Sequence, residues 1–91
     1  MEQQVKIIRL SEVIALTKLS KTSIYERVKD KKMVPPFSLG GRSAGYYEHE
    51  VKGVLAALAA GYSDREIEKL VDSFITKRKQ VANDLIASLA A

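Results

Sequence analysis

Apolar positions along the chain follow a helical period in some stretches and alternate like a strand in others. From Ser11 to Lys32 two short amphipathic segments flank a polar turn. In the first, Val13, Ile14 and Leu16 supply the apolar positions, and Ser11 stands before Glu12 as an N-cap would. The turn is Thr17-Lys18-Leu19-Ser20. Leu19 is placed to plug the angle between two helices and Ser20 to cap the second. There Ile24 and Val28, four apart, share one face. Thr22, Glu26 and Lys29 fall on the opposite face, with Ser23 and Tyr25 on its flanks. The layout fits a helix-turn-helix, or an ordinary helical hairpin with a solvated polar face.

Pro35-Pro36 ends any helix and forces an extended path. Phe37-Ser38-Leu39 alternates like a strand, Gly40 to Gly45 is loop-like, and Tyr46-Tyr47 starts a return strand. This predicts a β-hairpin with Arg42 at its tip, although a plain connector would share the composition. A third helix begins at Glu48-His49-Glu50-Val51, with Val51, Val54, Leu55 and Leu58 turned toward the first two, and ends at Gly61. Ser63 and Glu66 form a capping box, with Tyr62 and Ile67 as its hydrophobic staple. A helix is therefore predicted from Asp64 onward, and nothing stops it over 28 residues, about 40 Å. Its apolar positions form two sets, Ile67 to Ile75 and Val81 to Leu89, separated by the collar Lys77-Arg78-Lys79-Gln80. The first set can cover the core. The second would leave an apolar stripe in water unless a second copy packs on it, or unless the helix breaks near Lys77 and folds back. At the other end, residues 1–4 read as frayed and Val5 to Leu10 as an extended lead-in.

Composition narrows the classes. Ninety-one residues suit one small domain with little room for a catalytic cleft. There is no cysteine, so no disulfide framework, and no apolar run of membrane-spanning length. The net charge is +4, yet Lys18 to Arg42 holds seven basic residues against two acids. That excess of five exceeds the charge of the whole chain and favours a polyanionic partner, although a solvated basic face has the same composition. His49, the sole histidine, lies between Glu48 and Glu50, but adjacent helical residues point apart. No metal site, cofactor or enzyme activity is expected.

The segment IIRLSEVIALTKLSKTSIYERVKDKKMVPPFSLGGRSAGYYEHEV resembles the AlpA-type regulators of bacterial prophages and integrated elements, within the excisionase and MerR-like winged-helix group. The resemblance rests on Arg9, Leu10, Glu12 and Val13; on Leu16, Thr17, Leu19 and Ser20; on Ser23-Ile24-Tyr25; on the break at Pro35, Pro36 and Phe37; on Leu39 to Arg42; and on Glu48 to Val51. Lys18 stands where the family usually has glycine, Lys21-Thr22 replace its usual pair early in the second helix, and Tyr46 replaces its usual tryptophan. The match covers about half of the chain and leaves Gly61 to Ala91 outside. It implies sequence-specific DNA binding that regulates an integrase gene or assists excision.

The expected fold is thus mainly α with a small β-hairpin: a winged helix-turn-helix over residues 5–60, then a helical extension over 62–91. The partner expected is double-stranded DNA, in the bacterial cytoplasm at the nucleoid. Thr22, Ser23, Glu26 and Lys29 are candidates for base edges, and Lys18, Lys21, Tyr25 and Arg27 for phosphates. Arg42, helped by Ser43, works from the wing. Glu26 can instead pair along the helix with Lys29. A homodimer through the last helix is expected, with an integrase as a further partner. The alternative is a protein-interaction module that binds a recombinase or other partner without reading DNA.

Overall fold

A computed structural model of the chain describes residues 6–90. The stretch read as frayed, residues 1–4, and Val5 lie outside it. Strand β1 (Ile7–Ile8) leads into helices α1 (Leu10–Thr17) and α2 (Lys21–Lys29). Strands β2 (Phe37–Gly40) and β3 (Ser43–Tyr47) form a hairpin, and helices α3 (Glu48–Ala59) and α4 (Asp64–Ala90) complete the chain. The fold is mainly helical with a small antiparallel sheet ordered β1-β3-β2. The lead-in is more than extended: Ile7 pairs with Tyr47 and Ile8 with Tyr46. This third strand fixes the hairpin to the start of α1.

One apolar cluster holds these elements. Ile8, Val13, Ile24, Val51, Val54, Ile67 and Val71 are buried within it, each worth about 1.5–3 kcal/mol relative to exposure. Met33 and Val34 are wholly buried as well. The chain turns inward there before the prolines carry it out to β2. Leu19, Val28 and Ile14 pack partly against the cluster. Leu16 and Leu58, expected to face inward, are exposed. On α3 the buried position near the C-terminus is Ala57.

Local chemistry explains where the helices start and stop. Helix α1 begins earlier than Ser11 suggests: Arg9 is the N-cap, and the Glu12 carboxylate accepts from the Arg9 backbone N–H at 3.4 Å. Helix α3 ends with Gly61 at φ 85°, where Gly61 N–H donates to Leu58 O and Tyr62 N–H to Ala57 O. That is a Schellman closure, and glycine reaches its left-handed position without steric cost. The capping box on α4 forms as expected. Ser63 Oγ accepts from Glu66 N–H at 3.2 Å, and the Glu66 carboxylate accepts from Ser63 N–H at 3.1 Å. The backbone hydrogen bond from Ser63 holds the Glu66 carboxyl below its ordinary value.

Helix α4 runs unbroken through Lys77, so the fold-back alternative is not adopted. Nor is Lys77-Arg78-Lys79-Gln80 simply a polar collar. Arg78 turns inward to the buried Glu50, donating from Nε at 3.0 and 3.1 Å, and its Nη2 donates to Pro35 O at 2.9 Å. Its guanidinium lies 5.4 Å from the Phe37 ring centroid and 5.7 Å from that of Tyr47. One side chain thus joins α4 to α3, to the proline segment and to both long strands.

Helices α1 and α2 both end on a lysine in the left-handed region, Lys18 at φ 62° and Lys31 at φ 59°. Lys18 N–H donates to Ile14 O at 2.8 Å and closes α1. A side chain there costs about 1–2 kcal/mol, which glycine avoids at some cost in chain entropy. Lys18→Gly should therefore raise stability by roughly 0.5–1 kcal/mol. Urea denaturation should show a higher midpoint at unchanged slope, and a lowered midpoint would contradict the assignment.

Candidate nucleic-acid interface

The turn between α1 and α2 is built from side-chain to backbone hydrogen bonds. Thr17 Oγ1 donates to Val13 O at 2.8 Å and accepts from Leu19 N–H at 3.2 Å. Ser20 Oγ accepts from Ser23 N–H at 3.1 Å and caps α2. With Ile24 in the core, the opposite face of α2 carries Thr22, Glu26 and Lys29, all exposed, with exposed Lys21 and Tyr25 beside them. Lys21 Nζ sits 5.7 Å from the Tyr25 ring centroid, within cation–π range. Ser23 and Arg27 are half-buried. The Ser23 hydroxyl lies 3.1 Å from that of Ser20, so the cap already engages it.

The β2–β3 hairpin puts Arg42 at its tip. Gly40 pairs with Ser43, leaving Gly41 and Arg42 as the turn. Gly41 takes φ 56°, as the first central residue of a tight hairpin turn requires. Arg42 is exposed and Ser43 half-buried. Arg9, given no role from the sequence, donates from Nη1 to Ala44 O at 3.3 Å. It ties the hairpin to the start of α1, a reach across the fold that local sequence does not announce.

The basic excess is partly neutralised. Lys31 pairs with Asp72 at 3.9 Å and Lys32 with Asp64 at 3.3 Å, both acids on α4. Among the described residues, no ion pair engages Lys18, Lys21, Arg27, Lys29 or Arg42. The pairing of Glu26 with Lys29 along the helix is likewise not formed. Within Lys18 to Arg42 the unpaired cations thus lie on the helix-turn-helix and the hairpin tip, while Lys31 and Lys32, after α2, pair with α4.

His49, the other polar candidate, stacks at 5.6 Å on Tyr47 and meets the Phe74 ring edge-on at 6.4 Å. No group of three His, Cys, Asp or Glu side chains among the described residues is placed to hold a metal ion. No helix among them is long and apolar enough to cross a membrane.

These elements, in this order and with these caps, define a small winged helix-turn-helix with a long C-terminal helix. The family described as prophage CP4-57 regulatory protein (AlpA) matches residues 6–56, and the chain belongs to that family. The chain is also 34% identical over 58 residues to ORF88, an uncharacterized protein of Enterobacteria phage P4. That match covers 64% of this chain and 66% of the phage protein, just under two thirds of its length. No solved structure matches the chain significantly. The matched family is a regulatory one, and its residues take in β1, both helices of the helix-turn-helix, the hairpin and most of α3.

Tyr46 of β3 is buried, and burial first, then the nearby Tyr25 phenol, pushes its phenol above its ordinary value. A raised acid contributes stability that is complete below the unfolded tyrosine value, about 10, and is lost as pH rises through the folded value. Tyr46→Phe should flatten this part of the alkaline limb in a plot of unfolding free energy against pH. An unchanged limb would show that Tyr46 does not titrate differently on unfolding.

Proposed function

We propose that the protein is a sequence-specific DNA-binding regulator of a prophage or integrated element, acting at an integrase gene or as an excision factor. The observation that carries this reading is the set of unpaired cations around the exposed polar face of α2 and at the hairpin tip. Membership of a prophage regulatory family supports it. Helix α2 lies in the major groove, where Thr22 and Lys29 reach base edges. Ser23 contributes from the first turn. Glu26, with no partner along its helix, is free to accept from cytosine N4. Lys18, Lys21, Tyr25 and Arg27 bind phosphates and fix the register. Arg42 and Ser43 hold the backbone or the minor groove from the wing. The protein works in the bacterial cytoplasm at the nucleoid, without a cofactor and without catalysis, and an integrase is the partner whose gene or reaction it controls.

The exposed apolar end of α4 supports a second element of the reading, self-association through that helix. It equally suits the alternative function, an interaction module for a recombinase. The two functions separate on duplex DNA. The proposed regulator retains a duplex selected from a random pool, and its affinity falls steeply with salt. Lys21→Ala and Arg42→Ala should each lower the salt slope by about one unit. Lys29→Ala should cost about 1–3 kcal/mol and relax specificity. Failure to retain any duplex at low salt in a fluorescence anisotropy titration would leave only the interaction module.

A further inference from the structure

A groove of about 320 Å³ runs between the start of α3 and the second half of α4. Tyr47, His49 and Phe74 form its inner end, and Lys77, Arg78, Val81, Ala82, Leu85 and Ile86 line it along α4. Arg78 is committed to Glu50 and Pro35. His49 Nδ1 is buried without a hydrogen-bond partner. Beyond Gln80 every described residue of α4 is exposed, with Val81 at 56%, Leu85 at 57%, Ile86 at 62% and Leu89 at 76%.

Area and pattern together say what fits. These four side chains leave roughly 400 Å² in water, within the roughly 300–600 Å² of the largest patch on a typical monomer, a size that often marks a functional surface. A standard interface removes about 800 Å² per partner, so the tail alone is about half of one, and the groove must supply the remainder. The groove residues on α4, together with the exposed Leu89 beyond them, map onto one another by level about a two-fold axis crossing the helix between Val81 and Ala82. That operation sets Arg78 level with Leu85 of the second copy, Lys77 with Ile86, and Phe74 with Leu89. Such self-matching is what a two-fold interface requires of a single surface.

Charge sets the direction. A parallel pair would align the two helix dipoles and leave Lys77 without an acid of the second copy beside it. An antiparallel pair sets Lys77 on the same flank as Asp84 of the second copy, and opposes the two helix dipoles.

The geometry points to a second copy of this chain as the occupant. The two α4 tails lie antiparallel and cross between Val81 and Ala82, and the end of each tail seats in the other's groove beside Phe74, Tyr47 and His49. This rests on the self-association proposed above and gives it a direction and a register.

The chain has no cysteine, so single thiols report the contact cleanly. Lys77→Cys and Ser88→Cys, both at exposed positions, are mixed, allowed to exchange and oxidised, and unsubstituted full-length chain is sedimented alongside. The expected result is a dimer whose mixed sample forms a covalent heterodimer, while each variant alone stays unlinked. A dimer in which each variant links to itself, or in which nothing links, overturns the antiparallel seating and leaves self-association standing. A monomer at every concentration overturns both.

Discussion

The Arg78 guanidinium and the Glu50 carboxylate meet where four parts of the chain converge. Glu50 belongs to the first turn of α3, and its side chain is only 3% exposed. Arg78 arrives from 28 residues further on, and it also holds Pro35 O and lies against the rings of Phe37 and Tyr47. Taking both charges out of water costs several kcal/mol per ion, which their attraction repays only when the geometry is good and the remaining donors are satisfied. Here the guanidinium has a carboxylate, a carbonyl and two aromatic faces. What the pair contributes is therefore chiefly specificity: α4 has one direction and one register in which this carboxylate is compensated.

That constraint reaches the proposed DNA-binding surface through the hairpin. The Phe37 and Tyr47 rings pack at a tilt, 4.6 Å between centroids, at the base of β2 and β3, and Arg78 lies over both. From the other side Arg9 holds Ala44, and β1 pairs with β3. The hairpin that carries Arg42 is thus fixed at its base, while its tip stays exposed. On α3, a Cβ added at Gly53 would lie 2.8 Å from the Phe74 ring. The absence of a side chain there lets α4 come close enough for Arg78 to reach Glu50. Beyond Arg78 the helix leaves the body of the fold and its apolar side chains meet water, the ground for proposing a second copy there.

Local chemistry made much of the fold legible in the residues. Ser63 with Glu66, Ser20 before α2, Gly61 after α3, and the glycines around Arg42 each act within a few positions, so their signals are written in short stretches. The helical period of Ile67, Leu70, Val71 and Phe74 likewise announced the core face of α4. What stayed hidden depends on distant partners. Arg78 sits among lysines and reads as part of a solvated collar until Glu50 is seen beneath it. Lys31 and Lys32 look like two more cations for DNA until Asp72 and Asp64 appear opposite them. Met33 and Val34 became core because Lys31 adopts a left-handed turn that nothing in its identity favours. Of the candidate site, the exposed face of α2 followed from the burial of Ile24, whereas the diversion of Ser23 into the Ser20 cap needed coordinates.

Glu50 and Arg78 depend on each other, and a double-mutant cycle in urea measures that directly. Glu50→Gln and Arg78→Met should each cost about 3–5 kcal/mol, because each strands a buried polar or charged partner. The double variant should cost clearly less than their sum, giving a coupling energy of about 1–3 kcal/mol. Losses below about 1 kcal/mol that simply add would show that the two side chains act independently, and would contradict the account.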